Sequence, residues 1–239
     1  MPYCDLRAFL NRLEEEKELL RVETEVDLKY ELGAVCRLAL DRGGVNNNKA
    51  LYFSRPKGHS HPMVVNLLAS RKRFCLALEC SPDEVHREWI RRTQNPIEPK
   101  MVKDGPCKEV VHMGDEVDLF QLPIATWNEI DGGPYITFPC HLSRDPETGI
   151  RNAGMYRVMV YDKNTVGILA APYRHIRHHF DKAHAQGKPL PVALVMGMDP
   201  TLYAATVAPF PFGVDEMAMA GALRGKPVEM VRCETIPLE

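Results

Sequence analysis

The strongest constraint on the fold of this chain is a succession of strand-like runs in its second half. Residues 135–143, 155–162, 166–171 and 191–196 read as strands. Asp145-Pro146-Glu147-Thr148-Gly149 and Asp162-Lys163-Asn164 are turn signals between them. Strand–turn–strand order without intervening helices favours antiparallel pairing, hence a sheet or a small barrel. Two helices interrupt the pattern, over residues 174–185 and 214–223, the second ending at Gly225. Residues 228–233 look like a last strand.

The first half has a different rhythm. Asp5 can cap a helix whose Leu6, Phe9, Leu10 and Leu13 fall at i, i+3, i+4 and i+7. The acidic run Glu14-Glu15-Glu16 then falls largely on the solvent side. A second helix fits residues 30–41 and stops at Gly43-Gly44, and residues 50–53 and 63–68 read as short strands. Ser81-Pro82-Asp83-Glu84 is a capping box with Pro at the first helical position, predicting a helix to Thr93. Residues 95–114 are polar and carry Pro96, Pro99 and Pro106, as a boundary would. The expected class is therefore α+β or α/β. A small N-terminal α/β domain (1–113) precedes a sheet- or barrel-like domain (114–239).

Composition closes off several functions. With 45% apolar and 26% charged residues, disorder is excluded. A net charge of −2 gives no basic face for nucleic acid. The apolar runs are too short to span a bilayer and the first residues lack a signal-peptide core, so a soluble, cytoplasmic chain with no membrane partner is expected. Seven cysteines, without a C-x-x-C, imply reduced thiols rather than a zinc ribbon, with Cys36 and Cys75 packed.

The residues able to do chemistry gather between Asn152 and Glu216. Asn152, His175 and Glu216 supply an amide, an imidazole and a carboxylate from three separate elements, with Arg157 and Arg174 among them. That mix suits a hard metal ion carrying a phosphorylated ligand. Each member also has a plainer reading. Alternation puts Met155, Arg157, Met159 and Tyr161 on one strand face and Tyr156, Val158 and Val160 on the other. Arg157 is then a half-buried anion-binding fork, or a strand-end arginine paired with a carboxylate. His175 and His179 have i, i+4 metal-ligand spacing, but Ile176 rules out an H-E-x-x-H protease, and His178 and His179 read most simply as solvated. Glu216 is also a favourable acid in a first helical turn. Asp131-Gly132-Gly133-Pro134 is a tight turn, not a dinucleotide loop, and no P-loop occurs. Pro209-Phe210-Pro211-Phe212 is a rigid apolar turn that could line a ring-shaped ligand or pack inward.

Taken together, these segments resemble the UbiD family of prenylated-FMN decarboxylases. The resemblance runs from the Asp-Leu-Arg-x-Phe-Leu helix through Asp131-Gly132-Gly133-Pro134-Tyr135-Ile136-Thr137 and Ser143-Arg144-Asp145-Pro146-Glu147-Thr148-Gly149. It is sharpest at Asn152-Ala153-Gly154-Met155-Tyr156-Arg157, Pro172-Tyr173-Arg174-His175, the segment opening at Glu216, and Val231-Arg232-Cys233-Glu234. It implies a flavin-binding split β-barrel, incomplete here, after the N-terminal domain. Asn152, His175 and Glu216 match the family's ligands for a divalent cation, usually manganese, that grips the cofactor phosphate, with potassium often nearby. Met155, Tyr156, Arg157, Ala170, Ala171, Arg174 and Pro209 match segments touching the flavin or its phosphate. Arg157 matches the catalytic arginine that binds the substrate carboxylate. The implied reaction is reversible non-oxidative decarboxylation of an aromatic, phenolic or α,β-unsaturated acid, with a lean toward phenolic acids. The full-length form is implied to be a homo-oligomer. The family's proton-donating Glu-Gly-Pro segment lies beyond the strand ending here. The alternative is thus a cofactor- and metal-holding chain that needs a partner chain to supply that acid.

Overall fold

The computed structural model describes residues 3–239, with residues 45 and 46 as backbone only. The chain opens on α1 (Leu6–Glu15), and Asp5 accepts the Ala8 N–H at 2.8 Å as its cap. Phe9 and Leu13 are fully buried, each contributing about 1.5–3 kcal/mol. Next come β1 (Leu19–Val22), α2 (Glu31–Asn47), β2 (Ala50–Phe53), β3 (Met63–Val65), α3 (Arg71–Ala77), α4 (Val85–Thr93) and β4 (Lys100–Met101). The helix of α2 breaks at Gly44 (φ 59°) before a last turn. The capping box behaves differently from expectation. Ser81 Oγ bonds the Glu84 carboxylate at 2.7 Å instead of the backbone, and α4 begins one turn later.

β1 and β2 pair in parallel and β2 and β3 antiparallel. Behind them Arg73, fully buried, bonds Glu18, the carbonyls of Asn48, Leu67 and Asn66, and the Asn48 side chain. A buried guanidinium with that many acceptors is satisfied, and acts as an internal bracket.

The second half carries β5 (Tyr135–Ile136), β6 (Cys140–Arg144), β7 (Arg151–Gly154), β8 (Val158–Val160), β9 (Val166–Ile168), α5 (His175–Ala185), β10 (Ala193–Val195), α6 (Pro200–Val207), α7 (Glu216–Arg224) and β11 (Glu229–Met230). The strand expected over 135–143 divides at Pro139, which cannot donate to a ladder, and the strand expected over 155–162 begins only at Val158, with residues 155–157 linking it to β7. The strands on either side of each break join different sheets, of order β10-β6-β7 and β5-β8-β9, both antiparallel. β11 pairs in parallel with β4. Among the described residues the strands form small open sheets and no closed barrel.

One apolar cluster joins the two halves. It takes Phe9 and Leu13 from α1, Leu142 from β6, Ala153 from β7, and Met217 and Leu223 from α7. Helix α4 lies against α7, where Arg92 Nη1 donates to the carbonyls of Leu78 (2.8 Å) and Leu223 (3.1 Å). Gly225 closes α7 in the left-handed region at φ 73°. Among the described residues all cysteines are free, and no helix is long and apolar enough to cross a membrane.

Candidate active site

The site is built where β7, α5 and α7 meet. Asn152, 3% exposed, sits on β7 opposite Ser143 of β6. Glu216 is the first residue of α7, whose cap Asp215 accepts the Met217 N–H at 2.8 Å and pairs with Arg151. This fixes the turn from which Glu216 projects. Its Oε2 accepts the Ala153 N–H at 2.8 Å, and its Oε1 lies 3.7 Å from Nδ1 of His175, the first residue of α5. Asn152 and His175 also line one cavity of about 180 Å³. The three residues picked from the sequence are thus brought together.

Glu216 is 4% exposed, and burial pushes its carboxyl up to about 7. His175 is held below its usual value by burial and by the neighbouring His178 and Arg174. A neutral imidazole beside a buried carboxylate leaves that carboxylate uncompensated, which a cation would correct. An imidazole nitrogen with carboxylate and amide oxygens suits a divalent ion. Only two of these donors are of the His/Cys/Asp/Glu type. Among the described residues no group of three or more such side chains is arranged to hold a metal.

Tyr156 folds back over Gly154: a Cβ on Gly154 would lie 2.4 Å from the Tyr156 hydroxyl. That hydroxyl accepts long bonds from Asn152 Nδ2 (3.5 Å) and the Ile176 N–H (3.4 Å). His141 meets the Tyr156 ring edge-on at 5.3 Å, is fully buried, and neither of its ring nitrogens makes a hydrogen bond.

Arg157 differs from its expected setting. Residues 155–157 are not strand but the link by which the chain crosses between sheets, and Arg157 is exposed. Its guanidinium stands 5.6 Å from the Tyr135 ring centroid. The Leu169 N–H reaches the Arg157 carbonyl at 3.5 Å, which sets Ala170 and Ala171, both half-buried, beside that link. Met155 is half-buried; Arg174 and Pro209 are exposed. Phe212, beyond Pro209, packs edge-on to His175 and His178 at 5.3 Å and to His179 at 6.1 Å.

His179 overturns the solvated reading. It is 2% exposed and its Nδ1 is 3.0 Å from Oγ of the buried Ser143. The signal was available, since Ile176, His179 and Ala183 form the buried stripe of α5 at i, i+3 and i+7.

Comparison with known proteins gives a consistent pattern. The 3-octaprenyl-4-hydroxybenzoate carboxy-lyase N-terminal domain matches residues 10–93, and the Rift-related domain of that carboxy-lyase matches residues 100–239. An uncharacterized protein of Archaeoglobus fulgidus is 38% identical, over 100% of this chain and 52% of its own length. The phenolic acid decarboxylase of Sedimentibacter hydroxybenzoicus is 34% identical, over 97% of this chain and 50% of its own. The fold is similar to the UbiD-class enzyme HmfF from Pelotomaculum thermopropionicum in complex with FMN (TM-score 0.89, 36% identity, 98% of this chain and 52% of that one). It is also similar to the vanillic acid decarboxylase of Sedimentibacter hydroxybenzoicus in closed form (TM-score 0.93, 33% identity, 99% of this chain and 52% of that one). The chain spans about half the length of the relatives it matches.

Proposed function

The chain belongs to the UbiD family, and on that footing we propose that it carries the cofactor-holding part of a prenylated-FMN-dependent carboxy-lyase. Its substrate would be an aromatic, phenolic or α,β-unsaturated carboxylic acid. Residues 1–113 form the N-terminal domain and residues 114–239 the flavin-binding part, whose open sheets stand for a portion of a split barrel. The observation that carries the reading is the convergence of Asn152, His175 and Glu216 around a buried, uncompensated carboxylate.

These three side chains would hold a divalent cation such as manganese against the cofactor phosphate, with potassium nearby. The bound flavin supplies the electron sink for the pair left behind when carbon dioxide departs. The chain's own residues do the rest. Arg157, exposed on the link between sheets, presents a guanidinium fork that matches a carboxylate. Tyr135, against which the guanidinium lies, limits its freedom and so orients the acid. Met155 and Tyr156 belong to that same link, and Ala170, Ala171, Arg174 and Pro209 would be the remaining cofactor contacts. The buried Glu216 and Asn152 exclude water from the metal side.

A second reading is favoured by the surroundings of Arg157. Among the described residues its guanidinium lies over the Tyr135 ring and pairs with no carboxylate. A group able to return a proton to the product carbon would then come from another segment or a partner chain. Reconstitution of the 239-residue chain with prenylated FMN and manganese, followed by assay of carbon dioxide release from phenolic and cinnamic-type acids, separates the readings. Release supports the full enzyme. Retained flavin without release supports the partner-dependent form, and no retained flavin defeats both. Arg157→Ala should keep the flavin and lose turnover in the competent assembly.

A further inference from the structure

Helix α5 turns two imidazoles toward one cavity. His175 and His179, one helical turn apart, both line it together with Asn152, Arg151 and Lys182. We propose that His179 is a further binding residue of this site, donating a hydrogen bond from its Nε2 edge to an oxygen of a phosphate monoester. This deepens the preceding reading, and rests on it for the identification of that monoester with the flavin's phosphate.

The frame is rigid. Ser143 and Asn152 face each other across the β6–β7 ladder. Ser143 Oγ holds Nδ1 of His179 at 3.0 Å, and both side chains are buried. One edge of the ring is therefore committed to β6, and the other is left for the cavity the ring lines. When the serine hydroxyl donates to Nδ1, the single ring proton resides on Nε2, which is the tautomer that can donate to an anionic oxygen. Burial holds His179 below its usual value, so the ring stays neutral and keeps one N–H.

The formal cations around the cavity are already engaged. Lys182 bonds Asp145 at 2.8 Å and Glu147 at 2.9 Å, and Arg151 pairs with Asp215 and Glu239. His175 lies beside the Glu216 carboxylate. Among the described ionisable side chains lining the cavity, His179 is thus the donor with no carboxylate in hydrogen-bond contact, although the Asp145 charge acts on it, and it is buried and pre-oriented at little cost in side-chain freedom on binding.

The test uses the whole chain labelled with ¹⁵N-histidine. Inorganic phosphate is titrated in while the ring ¹⁵N–¹H correlations are followed, and His179→Gln assigns the His179 signals. The expected result is a ring protonated at Nε2 whose Nε2–H moves with phosphate, and a shift in tautomer balance in Ser143→Ala. In parallel, FMN and riboflavin affinities are measured by fluorescence quenching. His179→Leu should weaken FMN about tenfold, the loss of one hydrogen bond to a charged group, and leave riboflavin unchanged. His179→Gln, which retains an N–H donor, should restore most of the loss. Equal weakening of both flavins would make the residue a packing element, and an unmoved His179 resonance would overturn the inference. If the wild type bound neither flavin, the cofactor reading would fail. The phosphate titration alone would then decide His179. Should the leucine variant fail to fold, the phosphate titration of the wild-type chain decides: a moving His179 Nε2–H supports the inference and an unmoved one overturns it.

Discussion

The backbone N–H of Ala153 donates to Glu216 Oε2 at 2.8 Å, joining β7 to the first turn of α7 across 63 residues of sequence. The bond fixes one carboxylate oxygen and leaves the other facing His175. Burial, with a smaller push from the Asp215 charge, raises the acid to about 7, because the backbone N–H groups of Ala153 and of Glu216 itself do not offset desolvation. Glu216→Gln keeps an oxygen for Ala153 but removes the charge. Manganese should therefore raise the melting temperature of the wild type, by about 2.7 kcal/mol of added stability at a hundredfold excess over the dissociation constant. Glu216→Gln, His175→Ala and Asn152→Ala should lose that response. A scan in which all three still respond to manganese would remove the metal assignment.

His141 sets an acid limit on stability. Burial lowers its folded value from 6.5 to about 4, with the nearby Gly154 backbone opposing only in part. A base depressed in the fold contributes stability that is fully present above 6.5 and is lost as pH falls toward 4. The ceiling on that loss is about 3 kcal/mol. Urea melts at pH 7 and pH 4.5 should show a smaller drop for His141→Leu than for the wild type, and equal drops would refute the assignment.

Gly154→Ala should destabilise the chain by about 1–3 kcal/mol, because its new methyl would occupy the position of the Tyr156 hydroxyl. In a Tyr156→Ala background the same change should cost much less. Additive effects in that double-mutant cycle would show that the two residues do not compete for the space.

Arg73→Met leaves Glu18, 6% exposed, without its buried partner, though Lys49 and Lys72 remain on its outer side at 3.3 Å and 3.1 Å. A cost of about 3–5 kcal/mol is expected from breaking such a pair. The paired change Arg73→Met with Glu18→Leu should recover part of it. Chemical denaturation of the two variants measures the difference.

Local signals carried much of the fold. Asp5 over Leu6–Glu15, the break at Gly44 and the cap at Gly225 act where their chemistry says they should. Pro139 was visible as a ladder breaker, yet its consequence, strand ends passing to different sheets, depends on tertiary pairing. Helix α6 escaped notice because Thr201, Tyr203, Ala204, Ala205 and Thr206 are all buried, which erases helical periodicity, although Asp199-Pro200 is a cap followed by a first-position proline. The site was legible only in part. No spacing rule connects Asn152, His175 and Glu216, so their proximity came through family resemblance. Alternation places Arg157 on the correct face, since Tyr156, Val158 and Val160 are buried opposite it, but that face is open enough that Arg157 and Tyr161 are exposed and not half-buried.

Arg92 spans the carbonyls of Leu78 and Leu223, so an N-terminal side chain terminates the helix that begins with Glu216. The Ile97 N–H likewise donates to the Ala218 carbonyl at 3.1 Å, within the first turn that carries the Glu216 carboxylate. The first hundred residues are therefore no interchangeable cassette. A graft from a relative would have to bring its own match to α7, and inheritance should keep both sides of that seam together.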